Sequence, residues 1–344
     1  MVLIIIIVVT SFLNKNKSSQ NTETTVLTET TVATEESIDI SQANPEGTQA
    51  ISSETAFFPV LSDSDNSIIY LSGASQELIK YDILNQTSSS FPIDVPLVKA
   101  IGWSKDRTRA IIETYNSDKD ETKYYYYDLV EQNLKGIKIV YNSSLWISEN
   151  ELLYCVSGDS ASQLKVINFD SNQTSKAADL TPICDRLISY DPASKTLLYA
   201  SIASDTAMSL MAYNIETKTS LTVISSNLVS VKASADNTKI IVEVSDGSAS
   251  KLQVINASDL LSSDLNFYVP VNQLAWIGNE NIVAFFSESG ADTASFYSVD
   301  LATQTKNKLN IELASDSIPQ NIILDQASNL LFYTLDDYLY QAGL

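Results

Sequence analysis

One unit, repeated seven times at a spacing of about 43 residues, constrains this 344-residue chain more than any other feature. Each copy is an apolar pair, often aromatic, then a polar turn of about five residues, then a second apolar run. Val60-Leu61 leads to Ile68-Ile69-Tyr70, Ile101-Gly102-Trp103 to Ala110-Ile111-Ile112, Leu145-Trp146 to Leu152-Leu153-Tyr154, and Ile188-Ser189-Tyr190 to Leu197-Leu198-Tyr199. The series continues with Val231 and Ala233 to Ile240-Ile241-Val242, Ala275-Trp276 to Ile282-Val283-Ala284, and Ile323-Leu324 to Leu330-Leu331-Phe332. Anchors at 61, 103, 146, 190, 233, 276 and 324 are separated by 42, 43, 44, 43, 43 and 48 residues. A fixed period of this length is the mark of an architecture built from supersecondary units that bury their faces only against one another.

A second landmark keeps step with the first. Asp82, Asp128, Asn168, Asn214, Asn256 and Asp300 each follow a strand-forming residue and precede a turn, as in Tyr213-Asn214-Ile215-Glu216-Thr217. An Asx side chain can accept hydrogen bonds from the backbone two residues on and so close a hairpin. The runs between turns are short and strand-like, with no apolar i, i+3, i+4 stripe lasting ten residues. Four short strands per repeat describe a propeller blade. The fold expected is all-β: a seven-bladed β-propeller of four-stranded antiparallel blades over 57–344, preceded by an N-terminal apolar segment and a disordered linker.

The hairpins Tyr125-Tyr126-Tyr127-Asp128-Leu129 and Tyr297-Ser298-Val299-Asp300-Leu301-Ala302-Thr303 resemble the Tyr-x-x-Asp-Leu-x-Thr element of WD40-like propellers of the TolB type. The turn that reads Pro-Asp-Gly in that type is filled here by Ser104-Lys105-Asp106-Arg107, Asp191-Pro192-Ala193-Ser194 and Ala235-Asp236-Asn237. The resemblance implies a fold and no particular activity, because propellers host many unrelated functions.

Ring closure is the test of this reading. The seventh copy ends at Tyr338–Leu344, its third strand, with no chain left for a fourth. Unpaired backbone at that edge would be a liability. The stretch before the first blade, around Thr48 to Ser53, is therefore expected to supply the missing outer strand.

Ahead of the repeats, residues 1–17 open with Met1–Leu13, an almost purely aliphatic run followed by Asn14-Lys15-Asn16-Lys17. As a helix the run reaches only about 20 Å, short of the roughly 30 Å hydrocarbon core. It carries neither a basic region before it nor a small-residue cleavage site after it. A membrane anchor is expected, a cleaved signal being the alternative. Residues 18–56 carry seven acids and no basic residue and are rich in Thr and Ser. Such a segment cannot offset its ordering entropy by burial and reads as a linker. Its 39 residues span about 35 Å as a flexible coil.

Composition narrows the chemistry. The chain has no histidine, two cysteines and 42 acidic against 21 basic side chains, a formal charge of −21. Serine-histidine and cysteine-histidine nucleophile systems and histidine-held metals are excluded. So is nucleic acid, which needs a basic surface to displace its counterions.

The loops between second and third strands are rich in Ser, Gly and Asp, the residues that hairpin turns use in any case. If they serve a partner, the acidic rim would present Asp118, Asp120, Glu121, Asp159, Asp246, Glu288 and Asp292. Hard oxygen ligands of this kind suit Ca²⁺, but no loop carries an EF-hand series, so no cofactor is expected. Trp103, Trp146 and Trp276 share one repeat position, which points to packing in the core or between blades rather than to stacking on a sugar. Cys155 and Cys184 fall on adjacent blades and are expected to be buried free thiols, with a disulfide the alternative.

The function expected is a membrane-tethered, extracytoplasmic module, periplasmic or at the cell surface, that binds or scaffolds a protein or cell-surface component and is not an enzyme. The alternative is a carboxylate-based glycoside hydrolase or lyase in the central funnel, which would need acids facing an aromatic-walled pocket.

Overall fold

The computed structural model describes residues 48–62, 65–139, 141–204, 207–225, 227–234, 236–245, 247, 249–287, 293–315 and 317–344. Met1–Leu13 and most of the linker lie outside the described residues. Among those described, no helix is long and apolar enough to cross a membrane.

Among the described residues, twenty-eight strands form seven antiparallel four-stranded sheets, and these are the seven blades of a propeller. Blade 1 comprises Ala56–Ser62, Ser67–Ser72, Glu77–Asp82 and Thr87–Pro92; blade 2 comprises Val98–Trp103, Arg109–Asn116, Glu121–Asp128 and Asn133–Ile137. In six blades the strands pair in sequence order, which requires only hairpins. Blade 7 has Gln320–Asp325, Leu330–Leu335 and Tyr338–Gly343, and its fourth strand is Thr48–Ala50. Thr48 pairs with Ala342, Gln49 with Gln341 and Ala50 with Tyr340. The expected closure is therefore the observed one. Beyond the strand, Ile51 N and Ser52 N both donate to Leu339 O, and Leu339 N donates to Ser52 Oγ. These bonds draw into the ring a stretch that its composition groups with the linker.

Burial across a blade explains the residue pattern. The second strand is covered on both faces by neighbouring blades, so it reads as a continuous apolar run; all six residues of Ser67–Ser72 are buried. The fourth strand lies outermost, and Thr87–Ser90 is exposed. Because side chains alternate faces with period two, adjacent residues of one second strand serve different interfaces. Ile68 packs toward blade 7 with Phe332 and Leu339, whereas Ile69 packs toward blade 2 with Trp103 and Ile112. Ile111 in turn packs with Leu152 and Tyr154 of blade 3. Among the described residues there are seven such clusters, one for each contact between successive blades, including the contact of blade 7 with blade 1.

The turns between third and fourth strands behave as the Asx landmarks require. Asp82 Oδ1 accepts from Leu84 N and Asn85 N, Asn214 Oδ1 from Glu216 N and Thr217 N, and Asp300 Oδ1 from Ala302 N and Thr303 N. Asp128, Asn168 and Asn256 accept equivalent bonds.

The turn from first to second strand has its own device. Ser104 Oγ donates to Asp106 Oδ1 at 2.6 Å, Thr108 Oγ1 donates to Asp106 Oδ2 at 2.6 Å, and Arg109 N donates to Ser104 Oγ at 3.0 Å. Ser234, Asp236, Thr238 and Lys239 reproduce the arrangement in blade 5. Arg107 and Asn237 hold φ of 61° and 60°, the left-handed conformation that glycine adopts most readily.

Burial pushes the Asp106 carboxyl upward, but the bonds from Ser104 and Thr108 outweigh it and hold the group below the usual carboxylate range. A depressed folded-state pKa contributes stability that is present above about 3.8 and is lost as pH falls through the lower folded value. Asp106→Asn is expected to cost about 1 kcal/mol at neutral pH. The gap from wild type, measured by denaturant unfolding across pH, should close progressively in acid below that point. For closure, a chain starting at Ala56 is expected to melt well below one starting at Glu46, and equal melting temperatures would refute the latch.

Candidate functional site

One rim of the ring gathers the loops between second and third strands and the connections that lead into each next blade. Hydrogen bonds tie the two kinds of segment together: Tyr115 N donates to Leu97 O, Gly73 N to Thr55 O, and Ser317 Oγ to Asp336 Oδ2 at 2.7 Å. Sequence reasoning placed an acidic partner surface here, and the structure shows what each residue does.

Asp118, Asp120 and Glu121 come together at the tip of blade 2. Asn116 Oδ1 accepts from the backbone N of Asp118 and Lys119, Asp120 accepts from Tyr115 Oη at 2.7 Å, and Glu121 pairs with Lys123 at 3.3 Å. Lys99 Nζ sits 4.1 Å from the centre of the Tyr115 ring. Asp159 is exposed on the adjoining blade 3. Asp246, Glu288 and Asp292 lie outside the described residues. Among those described, no group of three or more acidic or thiol side chains could hold a metal ion.

Sequence reasoning missed the apolar side of this rim. Phe57, Phe58, Leu97, Ile202, Val229, Tyr268 and Ile318 are large apolar side chains exposed along it, Leu97 at 64% and Ile318 at 57%. The turns of the opposite rim expose Leu84, Val130 and Leu261. The difference arises partly from backbone irregularity. In blades 1, 2, 4, 5 and 7 the pairing of first and second strands slips by a bulge near this rim, between Phe57 and Val60 or Val98 and Ala100 for example. A bulge turns its side chain off the alternating pattern, and Phe58 sits at one with φ of 53°.

Two carboxylates interrupt otherwise apolar second strands at the same register. Glu113 pairs opposite Ala100 in blade 2, and Glu243 opposite Ser230 in blade 5. Glu243 is 6% exposed and accepts from Tyr268 Oη at 2.7 Å. Burial pushes the Glu113 carboxyl up, the nearby Lys99 ammonium opposing it. Tyr124, opposite Glu113, is pushed up to about 12 by burial and by the Glu113 charge. Its ring lies 4.2 Å from that of Tyr141. The signal was present in Ala110-Ile111-Ile112-Glu113 and Ile240-Ile241-Val242-Glu243, where a charge follows the buried triplet. The two carboxylates stand in blades 2 and 5, three blades apart in the ring.

Two of the three tryptophans, Trp146 and Trp276, staple neighbouring blades through their first strands. Trp146 Nε1 donates to Gly102 O at 2.9 Å, and Trp276 Nε1 to Lys232 O at 3.3 Å, each reaching the preceding blade. Lys232 Nζ returns a bond to Leu274 O at 2.6 Å, and burial pushes its amine down to about 8. On the far rim, a groove of about 590 Å³ between blades 2 and 3 is lined by Lys105, Arg109, Glu149 and Asp170, among others. It is internally neutralised, Arg109 lying 3.2 Å from Asp170 and 3.6 Å from Asp128.

The geometry defines a seven-bladed β-propeller with four-stranded blades. Solved structures agree. The chain is similar to an oligogalacturonate lyase in complex with manganese, at 10% identity over 86% of this chain and 93% of that one, with a TM-score of 0.58. It is also similar to the β-propeller domain of Cps50 (Swd1) from Myceliophteria thermophila, at 10% identity over 86% and 99%, with a TM-score of 0.56. TolB from Acinetobacter baumannii matches at 12% identity over 75% and 64%, with a TM-score of 0.47. At these identities the likeness is one of fold. No protein family model and no curated protein matches the sequence.

A raised carboxylate pKa weakens the folded state above the ordinary value of 4.5, because only the folded state resists ionisation. Glu113→Gln is expected to stabilise the ring at neutral pH by a fraction of a kcal/mol, solvent screening at this half-buried site limiting the gain. The advantage should vanish below pH 4.5 when thermal midpoints are compared across pH.

Proposed function

We propose that the chain is a non-enzymatic propeller that binds or scaffolds a protein partner through the rim of second-to-third-strand loops. The observation that carries this reading is the mixture of exposed apolar side chains, Leu97, Tyr268 and Ile318 foremost, with the carboxylates Asp118, Asp120, Glu121 and Asp159 on one rim. Apolar anchors within a charged border suit a protein surface whose own apolar patch is edged with Lys and Arg. The apolar run Met1–Leu13 and the acidic linker after it support tethering at a membrane with the propeller on the extracytoplasmic side.

A carboxylate-based hydrolase or lyase is the second reading. It draws on Glu113, whose half-buried carboxyl lies beside Tyr124, and on the shared fold of a lyase. It would show as turnover of an acidic polysaccharide that Glu113→Gln abolishes.

The test is capture of a partner from a detergent extract of membranes by the full chain and by Leu97→Asp/Ile318→Asp. The variant is expected to lose at least about tenfold in recovery of a discrete partner, as loss of two apolar anchors should, while its circular dichroism and melting temperature stay near wild type. Equal recovery would overturn the rim as the binding surface. Resistance of the propeller to protease in cells whose outer barrier has been opened, with cleavage only after the cytoplasmic membrane is lysed, would overturn the extracytoplasmic placement.

A further inference from the structure

The contact between blades 3 and 4 contains the chain's two cysteines. Cys155 lies on the second strand of blade 3 (Glu151–Ser157), and Cys184 begins the first strand of blade 4 (Cys184–Asp191). Both are fully buried, and their Sγ atoms are 2.8 Å apart. That is closer than the roughly 3.5–4.0 Å at which non-bonded carbon atoms come to rest, and sulfur is larger than carbon. The surrounding backbone is fixed on both sides. Ser162 Oγ accepts from Cys184 N at 2.9 Å, and Ser143 Oγ accepts from Leu187 N at 2.9 Å, so blade 3 holds the entry of blade 4 in place. Leu153, Leu164, Leu187 and Tyr199 pack around the pair.

We propose that Cys155 and Cys184 form a disulfide that staples blade 3 to blade 4. The inference goes beyond the binding reading and does not rest on it. In the undocked chain neither thiol has the other as a partner, so either can be the first nucleophile, Cys155 for instance. Having released its proton to solvent, its thiolate attacks one sulfur of a small-molecule disulfide, and the other sulfur leaves as a thiolate. Cys184, losing its own proton, then attacks Cys155 Sγ and expels the second thiolate. Two protein thiols and one external disulfide become one protein disulfide and two external thiols. Full burial of both sulfurs places the exchange before blades 3 and 4 have docked, and shields the finished bond from reductants afterwards. An oxidising compartment preserves such a bond.

The experiment refolds the full chain from the reduced, denatured state in oxidised and reduced glutathione, then denatures it and alkylates with iodoacetamide without reductant. The expected product takes up no alkyl group, is lighter than the dithiol chain by two hydrogens, and yields a peptide linking Cys155 to Cys184. Alkylation of both thiols, or glutathione retained on either, overturns the proposal. The bond closes a loop over a separation of 29 residues, so the wild-type melting temperature is expected to fall by about 5 °C when reductant is present during the melt. That of Cys155→Ser/Cys184→Ser should not respond to reductant. An identical wild-type transition in both conditions also counts against the bridge.

Discussion

Burial of both faces of every blade is the constraint from which the rest of this molecule follows. A four-stranded sheet with apolar side chains on both faces is not viable alone, and a linear stack of seven would leave two such faces in water. Only a closed ring gives each face a partner, and the contact of blade 7 with blade 1 is built like the others, from Ile68, Tyr70, Phe332 and Leu339. Closing the ring also fixes where polarity can go. Strand edges at the circumference, the two rims and the channel are the surfaces left to water, so loops and outer strands carry the charges while second strands carry almost none.

The repeat and the Asx turns could be read from residue order because each depends on local chemistry. Asp82 or Asn214 closes its hairpin whatever surrounds it, and the triplets Ala110-Ile111-Ile112 and Ile240-Ile241-Val242 report two-sided burial directly. The apolar rim was hidden for a physical reason. A lone Leu97 or Ile318 between polar residues is indistinguishable in sequence from a residue anchoring its loop to the core, and the bulges that redirect Phe58 and its counterparts break the alternation on which inward and outward assignments rest. Closure by Thr48–Ala50 was legible by a count of strands: its composition is that of the linker, but the seventh copy ends at its third strand and leaves one place in the ring to fill.

The charged residues divide into three kinds by what holds them. Asp106, Asp236 and Asp300 are turn builders, satisfied by backbone and hydroxyl donors within a few residues. Arg109 and Asp170 neutralise each other across blades. Asp118 and Asp159 are given no such internal task by their side chains, and they stand on the rim that also exposes the large apolar side chains. A surface that keeps both charge and apolar area uncommitted is where association with another macromolecule gains most and disturbs the fold least.

Closure by Thr48–Ala50 has a mechanical consequence. Thr48–Ala50 is held to Tyr338–Gly343 by one short ladder of backbone bonds. The other six outer strands are each joined to their blade by a hairpin as well. Tension on the outer edges of the ring would therefore open it at blade 7 before it disturbed any other blade.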